Sequence, residues 1–98
     1  MFVRPYTPGF EGAGVVEEIG GSVKQFSVGD RVIVTNSHNI WKEVVMVPAE
    51  NVIKMPDNMS FEDGAALTVN YMTAYHILFE LGNLRPGAKV LVHMAAGV

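Results

Sequence analysis

Apolar residues in the first half of the chain occur in short β-branched runs separated by glycine and proline. The runs cover residues 14–19, 31–35, 43–47 and 51–54. Short strands at this close spacing predict a small antiparallel barrel or sandwich. The sequence Ser-Val-Gly-Asp at 27–30 precedes the second run and predicts a tight turn, because glycine and aspartate adopt turn geometry at little steric cost.

Helical spacing of apolar residues begins after position 57. We predict a short helix over residues 61–67, which starts at a cap formed by Ser60 and Asp63. A longer helix is predicted over residues 69–81 and ends at Gly82. The longer helix is mostly apolar, and its polar residues fall in one narrow stripe.

The segment from Ala88 to Met94 is a continuous apolar run without alternation. Such runs are typical of strands that are buried on both faces, as in a parallel sheet. The small residues at 95–97 follow it, and a dinucleotide-binding turn begins in the same way. We therefore predict here the first strand of a Rossmann-type domain.

Composition excludes several classes of protein. Hydrophobic residues make up 49% of the 98 residues and charged residues 17%, unlike a disordered chain. The net charge of −3 argues against nucleic-acid binding. No apolar stretch approaches the roughly 20 residues of a membrane span, and no secretory signal is recognisable. The absence of cysteine excludes disulfides and thiolate zinc sites. These features predict a cytoplasmic protein.

Four segments occur in the order in which one enzyme family carries them: residues 8–16 (PGFEGAGVV), 28–32 (VGDRV), 69–75 (VNYMTAY) and 82–97. With them the chain resembles the medium-chain dehydrogenase/reductases, and among these the quinone oxidoreductase (zeta-crystallin-like) group. The resemblance implies an α+β fold with a GroES-like, β-barrel-type catalytic domain over residues 1–67, without the N-terminal strands of the family. It also implies that residues 68–98 hold the connecting helix and the first strand of a truncated Rossmann cofactor domain.

The same resemblance implies hydride transfer from NADPH, or from NADH, to a small quinone or enone. Zinc-dependent relatives carry a histidine ligand at the position of Phe10, which lies between Gly9 and Glu11. A phenyl ring cannot coordinate zinc, which takes nitrogen, sulfur or oxygen ligands. The three histidines are not spaced as zinc ligands either. We therefore expect a zinc-independent reaction with no metal site, in which the nicotinamide carries the chemistry.

Thr73 is the main candidate for cofactor binding, because the resemblance implies that it lies near the nicotinamide carboxamide. Its hydroxyl can both donate and accept a hydrogen bond; the alternative is a solvated or back-bonded helical threonine. Asn70 is a second candidate on the same stripe, and Tyr71 either lines the substrate cleft or fills the core. Ala96 and Gly97 match the start of the turn that binds the cofactor pyrophosphate.

Other residues are assigned structural roles. Gly12, Gly14 and Gly20 are expected to allow sharp turns or close packing rather than to touch substrate. Trp41 is expected to anchor a hairpin to the core, and His38 is expected to be a solvated loop residue. No residue stands out as a general acid, so the catalytic residue is not assigned.

Two alternatives to the reductase remain open. One is a non-catalytic binding protein that keeps the reductase fold and associates with vesicle or organelle membranes, including the mitochondrial outer membrane. The other is an inactive truncated product, because an uncovered apolar strand favours aggregation. If the parent protein is a reductase, the 98 residues alone are expected to be inactive. The longer parent is expected to be a homodimer.

Overall fold

The computed structural model describes residues 5–96. Its elements, in chain order, are β1 (Gly12–Val15), β2 (Arg31–Val34), a 3₁₀ turn (Ala49–Asn51), β3 (Val52–Lys54), helix α1 (Phe61–Tyr75) and a π-helical segment (His76–Leu81). The sheet and α1 together hold the residues of the candidate site described below.

The three strands form one antiparallel sheet with β2 in the middle. Ile33 is central, since it pairs with Ala13 of β1 and with Ile53 of β3. Successive side chains of a strand point to opposite faces. Val32, Ile33 and Val34 are all buried, so both faces of β2 are covered.

Helix α1 packs on the sheet at Gly64. A Cβ at this position would lie 2.6 Å from the Sδ of Met55 and 3.3 Å from the Cγ1 of Ile33. The absence of a side chain therefore lets the helix backbone approach the sheet closely. The buried apolar residues of the described range are Phe26, Val32, Ile33, Val34, Ile40 and Met55.

The start of α1 is fixed by local contacts. The side chain of Ser60 accepts a hydrogen bond from the backbone N–H of Asp63 at 3.1 Å, which confirms the predicted cap. Arg31 of β2 donates to the carbonyl of Met59 at 2.6 Å, and its guanidinium lies 4.5 Å from the centre of the Phe61 ring. These contacts tie the central strand to the first turn of the helix.

The helical region differs from the two helices predicted. Residues 61–75 form one continuous α-helix, so the predicted domain boundary at 67/68 falls inside it. The predicted interruption at Thr68 does not occur, because this side chain is buried and its hydroxyl is hydrogen bonded outside the helix. Leu81 ends the helical region as predicted, but its last six residues are π-helical. The N–H of Leu84 closes this end by donating to the carbonyl of Leu78 at 2.9 Å.

The predicted tight turn at residues 27–30 is present. Asp30 N–H donates to the carbonyl of Ser27 at 3.1 Å, and Ser27 N–H donates back to the carboxylate of Asp30 at 2.9 Å. Gly29 has a φ of +92°, which a residue with a side chain rarely adopts. The turn feeds directly into β2.

Two predicted strands are not strands in the structure. Residues 43–47 are irregular, and Val44 and Met46 are exposed, because no described strand lies beside them to pair with. Residues 88–94 are also irregular, and Leu91 is 80% exposed, so the predicted buried strand was wrong for this structure. A parallel strand takes its hydrogen bonds from neighbouring strands, and none is described on either side of this segment.

The predictions for Trp41 and the glycines are only partly met. Trp41 is 72% exposed and so does not anchor a hairpin to the core. Close packing is confirmed at Gly12, where a Cβ would lie 2.9 Å from the Cγ2 of Ile40. Gly14 has no such neighbour, and Gly20 has only one at ordinary contact distance. Between residues 5 and 96, no helix combines the length and the apolar character that crossing a membrane requires.

Candidate functional site

The site centres on residues 8–11, which lie just before β1 and contact two different parts of the fold. On one side, the carbonyl of Pro8 accepts from Trp41 N–H at 3.0 Å, and the carbonyl of Phe10 accepts from Ser37 N–H at 3.3 Å. These bonds attach residues 8–11 to residues 35–41, which we call the 35–41 loop. On the other side, Glu11 contacts α1.

Glu11 binds the middle of α1 through one carboxylate oxygen. This oxygen accepts from the Thr68 hydroxyl at 2.6 Å and from the Val69 backbone N–H at 2.7 Å. Thr68 is only 4% exposed, so the carboxylate satisfies a polar group that would otherwise be buried without a partner. Hydrogen bonds to an ionised acceptor are among the stronger ones in proteins. Glu11 therefore fixes the position of α1 relative to residues 8–11.

Phe10 and His38 form an exposed ring pair beside this contact. Their ring centres are 5.3 Å apart and the planes are inclined at 75°, an edge-to-face arrangement. Phe10 is 54% exposed, and His38 is also exposed. The rings therefore contact each other while keeping much of their surface open to a ligand.

Trp41 lies against Gly9 at the edge of the same surface. Gly9 has a φ of +105°, and a Cβ there would overlap the indole ring of Trp41. Only glycine fits this combination of backbone conformation and contact. Trp41 thus belongs to the surface of the site rather than to the core.

The 35–41 loop holds His38 in a fixed backbone conformation. Its neighbours Asn36 and Asn39 have φ values of +49° and +60°. Asn51 donates from Nδ2 to the carbonyl of Asn36 and to the Oγ of Ser37, both at 3.2 Å. Ser37 is buried, and its hydroxyl donates to the carbonyl of Thr35. Left-handed residues other than glycine cost free energy and cluster at functional sites.

The predicted cofactor residues of the helix all lie on the exposed surface of α1. Asn70 and Thr73 are three positions apart, and Thr73 is four positions after Val69, so Thr73 lies one helical turn beyond the Glu11 contact. Tyr71 is 67% exposed, so it is not part of the core that the described residues form. Its place in a substrate cleft stays a prediction, as do the roles of Asn70 and Thr73.

The predicted pyrophosphate-binding residues lie at the other end of the described range. Ala96 is exposed and belongs to an irregular turn over residues 93–96. Gly97 lies outside the described residues. Their assignment to cofactor binding therefore stays a prediction.

The side chains at this site do not fit a zinc centre. Phe10 has no atom that coordinates zinc, and the carboxylate of Glu11 is engaged by Thr68 and Val69. Across residues 5–96, no group of three or more His, Cys, Asp or Glu side chains is placed to hold a metal ion.

Sequence reasoning missed two residues of the site. Glu11 was noted only as part of a motif, although it forms the contact between residues 8–11 and α1. His38 is an exposed loop residue as predicted, but its ring contact with Phe10 was not anticipated. The sequence holds one indication of this loop geometry, since Asn36 and Asn39 lie on either side of His38. Asparagine tolerates left-handed conformations better than most residues.

Comparison with known proteins identifies the family to which this fold belongs. The alcohol dehydrogenase GroES-like domain family matches residues 1–57. The synaptic vesicle membrane protein VAT-1 homolog of Rattus norvegicus is 57% identical over 93 residues, which are 95% of this chain and 23% of that protein. The chain therefore spans about a quarter of the length of the curated relatives it matches.

Two solved structures share the fold. The human synaptic vesicle membrane protein VAT-1 homolog-like protein is 50% identical, with a TM-score of 0.79, over 87% of this chain and 27% of that chain. The JamJ enoyl reductase in its apo form is 32% identical, with a TM-score of 0.81, over 94% of this chain and 28% of that chain. Taken with the match over residues 1–57, these similarities show that the chain belongs to the alcohol dehydrogenase GroES-like domain family, within the medium-chain dehydrogenase/reductases.

Proposed function

We propose that this chain forms the catalytic-domain part of a zinc-independent, NAD(P)H-dependent oxidoreductase that reduces a quinone or an enone. The observation that carries the proposal is the different use of two adjacent residues. Phe10 presents a phenyl ring where zinc-dependent relatives carry a histidine. The Glu11 carboxylate accepts a hydrogen bond from α1. The site therefore offers an apolar surface beside a fixed helix rather than a set of metal ligands.

Thr73 and Asn70 are the residues that would hold the nicotinamide carboxamide. Both are exposed on α1, and together they offer hydroxyl and amide groups that donate and accept hydrogen bonds. The bound cofactor would supply the hydride. Glu11 supports this role indirectly, because it fixes the helix that carries both side chains. An enone acceptor is also in keeping with the name of the JamJ enoyl reductase, whose structure is similar.

The test measures the oxidation of NADPH by the protein as its own gene encodes it. Naphthoquinone and cyclohexenone serve as the hydride acceptors. We expect saturable loss of NADPH absorbance that depends on the acceptor. The same assay with NADH decides which cofactor is preferred. An absence of NADPH binding, measured by cofactor fluorescence on the same preparation, would refute the proposal.

A second candidate is a binding protein that keeps the reductase fold and associates with vesicle membranes. Relatives are named synaptic vesicle membrane proteins, and the π-helical segment exposes Ile77, Phe79 and Leu81. Exposed apolar side chains of this kind can bury surface at a membrane interface. Co-flotation with phospholipid vesicles, reduced in Phe79→Ser, would support this candidate. A protein that stays in the soluble fraction at low salt would argue against it.

A further inference from the structure

We propose that the groove between the π-helical segment and residues 88–91 binds a long-chain fatty acid. In this site Arg85 and Lys89 hold the carboxylate, and the apolar walls cover the alkyl chain. The inference goes beyond the proposed function, because it concerns a different surface from that of Phe10 and Glu11 and requires no cofactor.

The groove forms where the chain comes back alongside the end of the helical region. The N–H of Leu84 donates to the carbonyl of Leu78 at 2.9 Å. A turn over residues 85–88 follows, closed by a hydrogen bond of 3.1 Å between its first and last residues. Gly87 within this turn has a φ of +81°, which a residue with a side chain rarely adopts. These contacts hold residues 88–91 beside the π-helical segment.

The size and the apolar lining of the groove suit a small amphiphile. Its volume is about 620 Å³, and small-molecule sites typically enclose about 300–1,000 Å³. The helical side contributes Ile77 and Leu78, and the other side contributes Val90 and Leu91. Val90 is 48% exposed and Leu91 is 80% exposed. An alkyl chain in the groove would therefore remove apolar surface from water on both sides.

The charge of the groove indicates the other end of the ligand. Among the described residues that line it, Arg85 and Lys89 are the cations and none is acidic. Across residues 5–96, neither cation forms an ion pair with a carboxylate. A guanidinium and an ammonium can together bind one carboxylate through charge-assisted hydrogen bonds. The groove therefore complements an anionic group.

The combination of charge and apolar surface selects a fatty acid. A short anion would leave the apolar walls in water, and an uncharged lipid would leave both cations without a partner. Arg85 lies in the turn and Lys89 directly follows it, whereas the apolar residues lie along the two walls. A phospholipid in a bilayer keeps its acyl chains in the membrane and would not fill these walls. A fatty acid carries one carboxylate at the end of one alkyl chain and so satisfies both features.

The experiment measures binding of dodecanoate by isothermal titration calorimetry on the protein as its own gene encodes it. Dodecanoate is kept below its critical micelle concentration, so that single molecules and not micelles are offered. We expect saturable binding that weakens with added salt, because the two cations are exposed. Butyrate keeps the carboxylate but lacks most of the chain, and its affinity should be at least about tenfold lower.

Substitution of the cations tests the carboxylate contact. The double variant Arg85→Gln with Lys89→Gln should bind dodecanoate about three- to tenfold more weakly, since two exposed ion pairs are lost. The matched control combines Lys24→Gln with Lys42→Gln, two exposed lysines outside the groove, and should bind as the unaltered protein does. Circular dichroism shows whether each variant keeps its fold.

Substitution of the wall tests the alkyl contact. Val90→Asn should lower the affinity for dodecanoate at least about threefold, because it places an amide against the chain. Val44→Asn is the matched control, since Val44 is exposed, irregular in structure and outside the groove. No saturable binding of dodecanoate, or equal affinity in the cation variant, in Val90→Asn and in both controls, would overturn the proposed site.

Two further measurements decide whether something else occupies the groove. Acetylation of Lys89 by acetic anhydride should be fast in the free protein and slow with dodecanoate bound, while Lys42 stays unchanged. Slow acetylation of Lys89 in the free protein would mean that another segment of the protein fills the groove, and would overturn the proposal. Co-flotation with vesicles of equimolar phosphatidylglycerol and phosphatidylcholine that needs Arg85 and Lys89, without binding of dodecanoate, would also overturn it and assign the cations to a membrane surface.

Discussion

The backbone N–H of Val69 donates a hydrogen bond to the carboxylate of Glu11 at 2.7 Å, across 58 positions of the chain. In a regular α-helix this N–H donates to the carbonyl four residues earlier. A carboxylate that reaches the middle of a helix therefore fixes both the rotation and the height of α1 against residues 8–11. Asn70 and Thr73 follow within one turn, so their placement depends on Glu11.

Replacing Glu11 should destabilise the fold. Glu11→Ala removes the carboxylate that accepts from Val69 N–H and from the buried Thr68 hydroxyl, so we expect the free energy of unfolding to fall by about 1–3 kcal/mol. Glu11→Gln keeps one acceptor oxygen and should lose less. Urea unfolding followed by circular dichroism measures both. The matched control is Glu18→Ala at an exposed position, and equal midpoints for Glu11→Ala and Glu18→Ala would contradict the assigned role.

Gly64→Ala should destabilise the chain although alanine favours helices. Helix propensity alone would add about 1 kcal/mol. The new Cβ would lie 2.6 Å from the Sδ of buried Met55 and 3.3 Å from the Cβ of Ala13, and overpacking of this kind costs about 1–3 kcal/mol. We expect a net loss of about 1 kcal/mol in the free energy of unfolding, measured by urea denaturation.

The control for that substitution is Gly14→Ala, because a Cβ at Gly14 meets no atom within 4 Å. Its stability should stay unchanged or rise slightly through loss of unfolded-state entropy. A Gly64→Ala variant that is more stable than the unaltered protein would show that α1 has room to move away from the sheet.

Features that depend on neighbouring residues were predicted from the sequence. The turn at 27–30 and the Ser60 cap involve residues three positions apart, and both are present as expected. Strand β2 was predicted within one residue, because a run of β-branched residues between turn residues indicates a strand. The family match confirms the GroES-like fold that the motifs implied.

Features that depend on distant partners were not predicted. The contact of Glu11 with α1 spans 58 positions, and the contact of Phe10 with His38 depends on two left-handed asparagines. Periodicity carries no information about such pairings. Residues 43–47 and 88–94 have strand-like composition, yet a strand also needs a hydrogen-bonding partner, which composition does not reveal.

Stability should fall in acid through Asp30. The hydrogen bond from Ser27 N–H, with the Lys54 ammonium at 3.1 Å, holds the pKa of Asp30 below its ordinary value of 3.8. Because the folded pKa is the lower one, the stabilisation is complete well above pH 3.8 and is lost as the pH falls through the folded pKa. Asp30→Asn should remove this part of the acid dependence.

Urea midpoints measured from neutral pH to well below pH 3.8 test the role of Asp30. Asp57→Asn is the control, because it leaves the Ser27 and Lys54 contacts in place, and it should keep the Asp30-dependent loss. A profile of Asp30→Asn that parallels the unaltered protein throughout would assign the acid loss to other carboxylates.

Removal of metal should leave reductase activity unchanged. Phe10 cannot coordinate zinc, and one oxygen of the Glu11 carboxylate is held by α1, so prolonged treatment with a chelator is expected to have no effect. A zinc-dependent alcohol dehydrogenase treated in parallel should lose its activity. Loss of activity that added zinc restores would refute the zinc-independent reaction.

Thr73→Val should weaken cofactor binding without unfolding the protein. One neutral hydrogen bond contributes about 0.5–1.5 kcal/mol, so the KM for NADPH should rise by about two- to tenfold. Thr73→Ser keeps the hydroxyl and should keep the KM. A solvated helical threonine, the alternative reading, predicts no change in either variant, and Ser22→Ala at an exposed loop position provides the control.

Combining Thr73→Val with Glu11→Gln tests whether Glu11 positions the cofactor-binding residue. Glu11 contacts α1 at Val69, four positions before Thr73, and so acts on the cofactor only through the placement of the helix. Glu11→Gln alone should therefore raise the KM for NADPH. In Thr73→Val the hydroxyl that a displaced helix would misplace is already absent. The increase in log KM of the double variant should therefore be smaller than the sum of the two single increases. Increases in log KM that add fully would mean that Glu11 affects cofactor binding without involving the Thr73 hydroxyl. An unchanged KM in Glu11→Gln would mean that Glu11 contributes to stability alone.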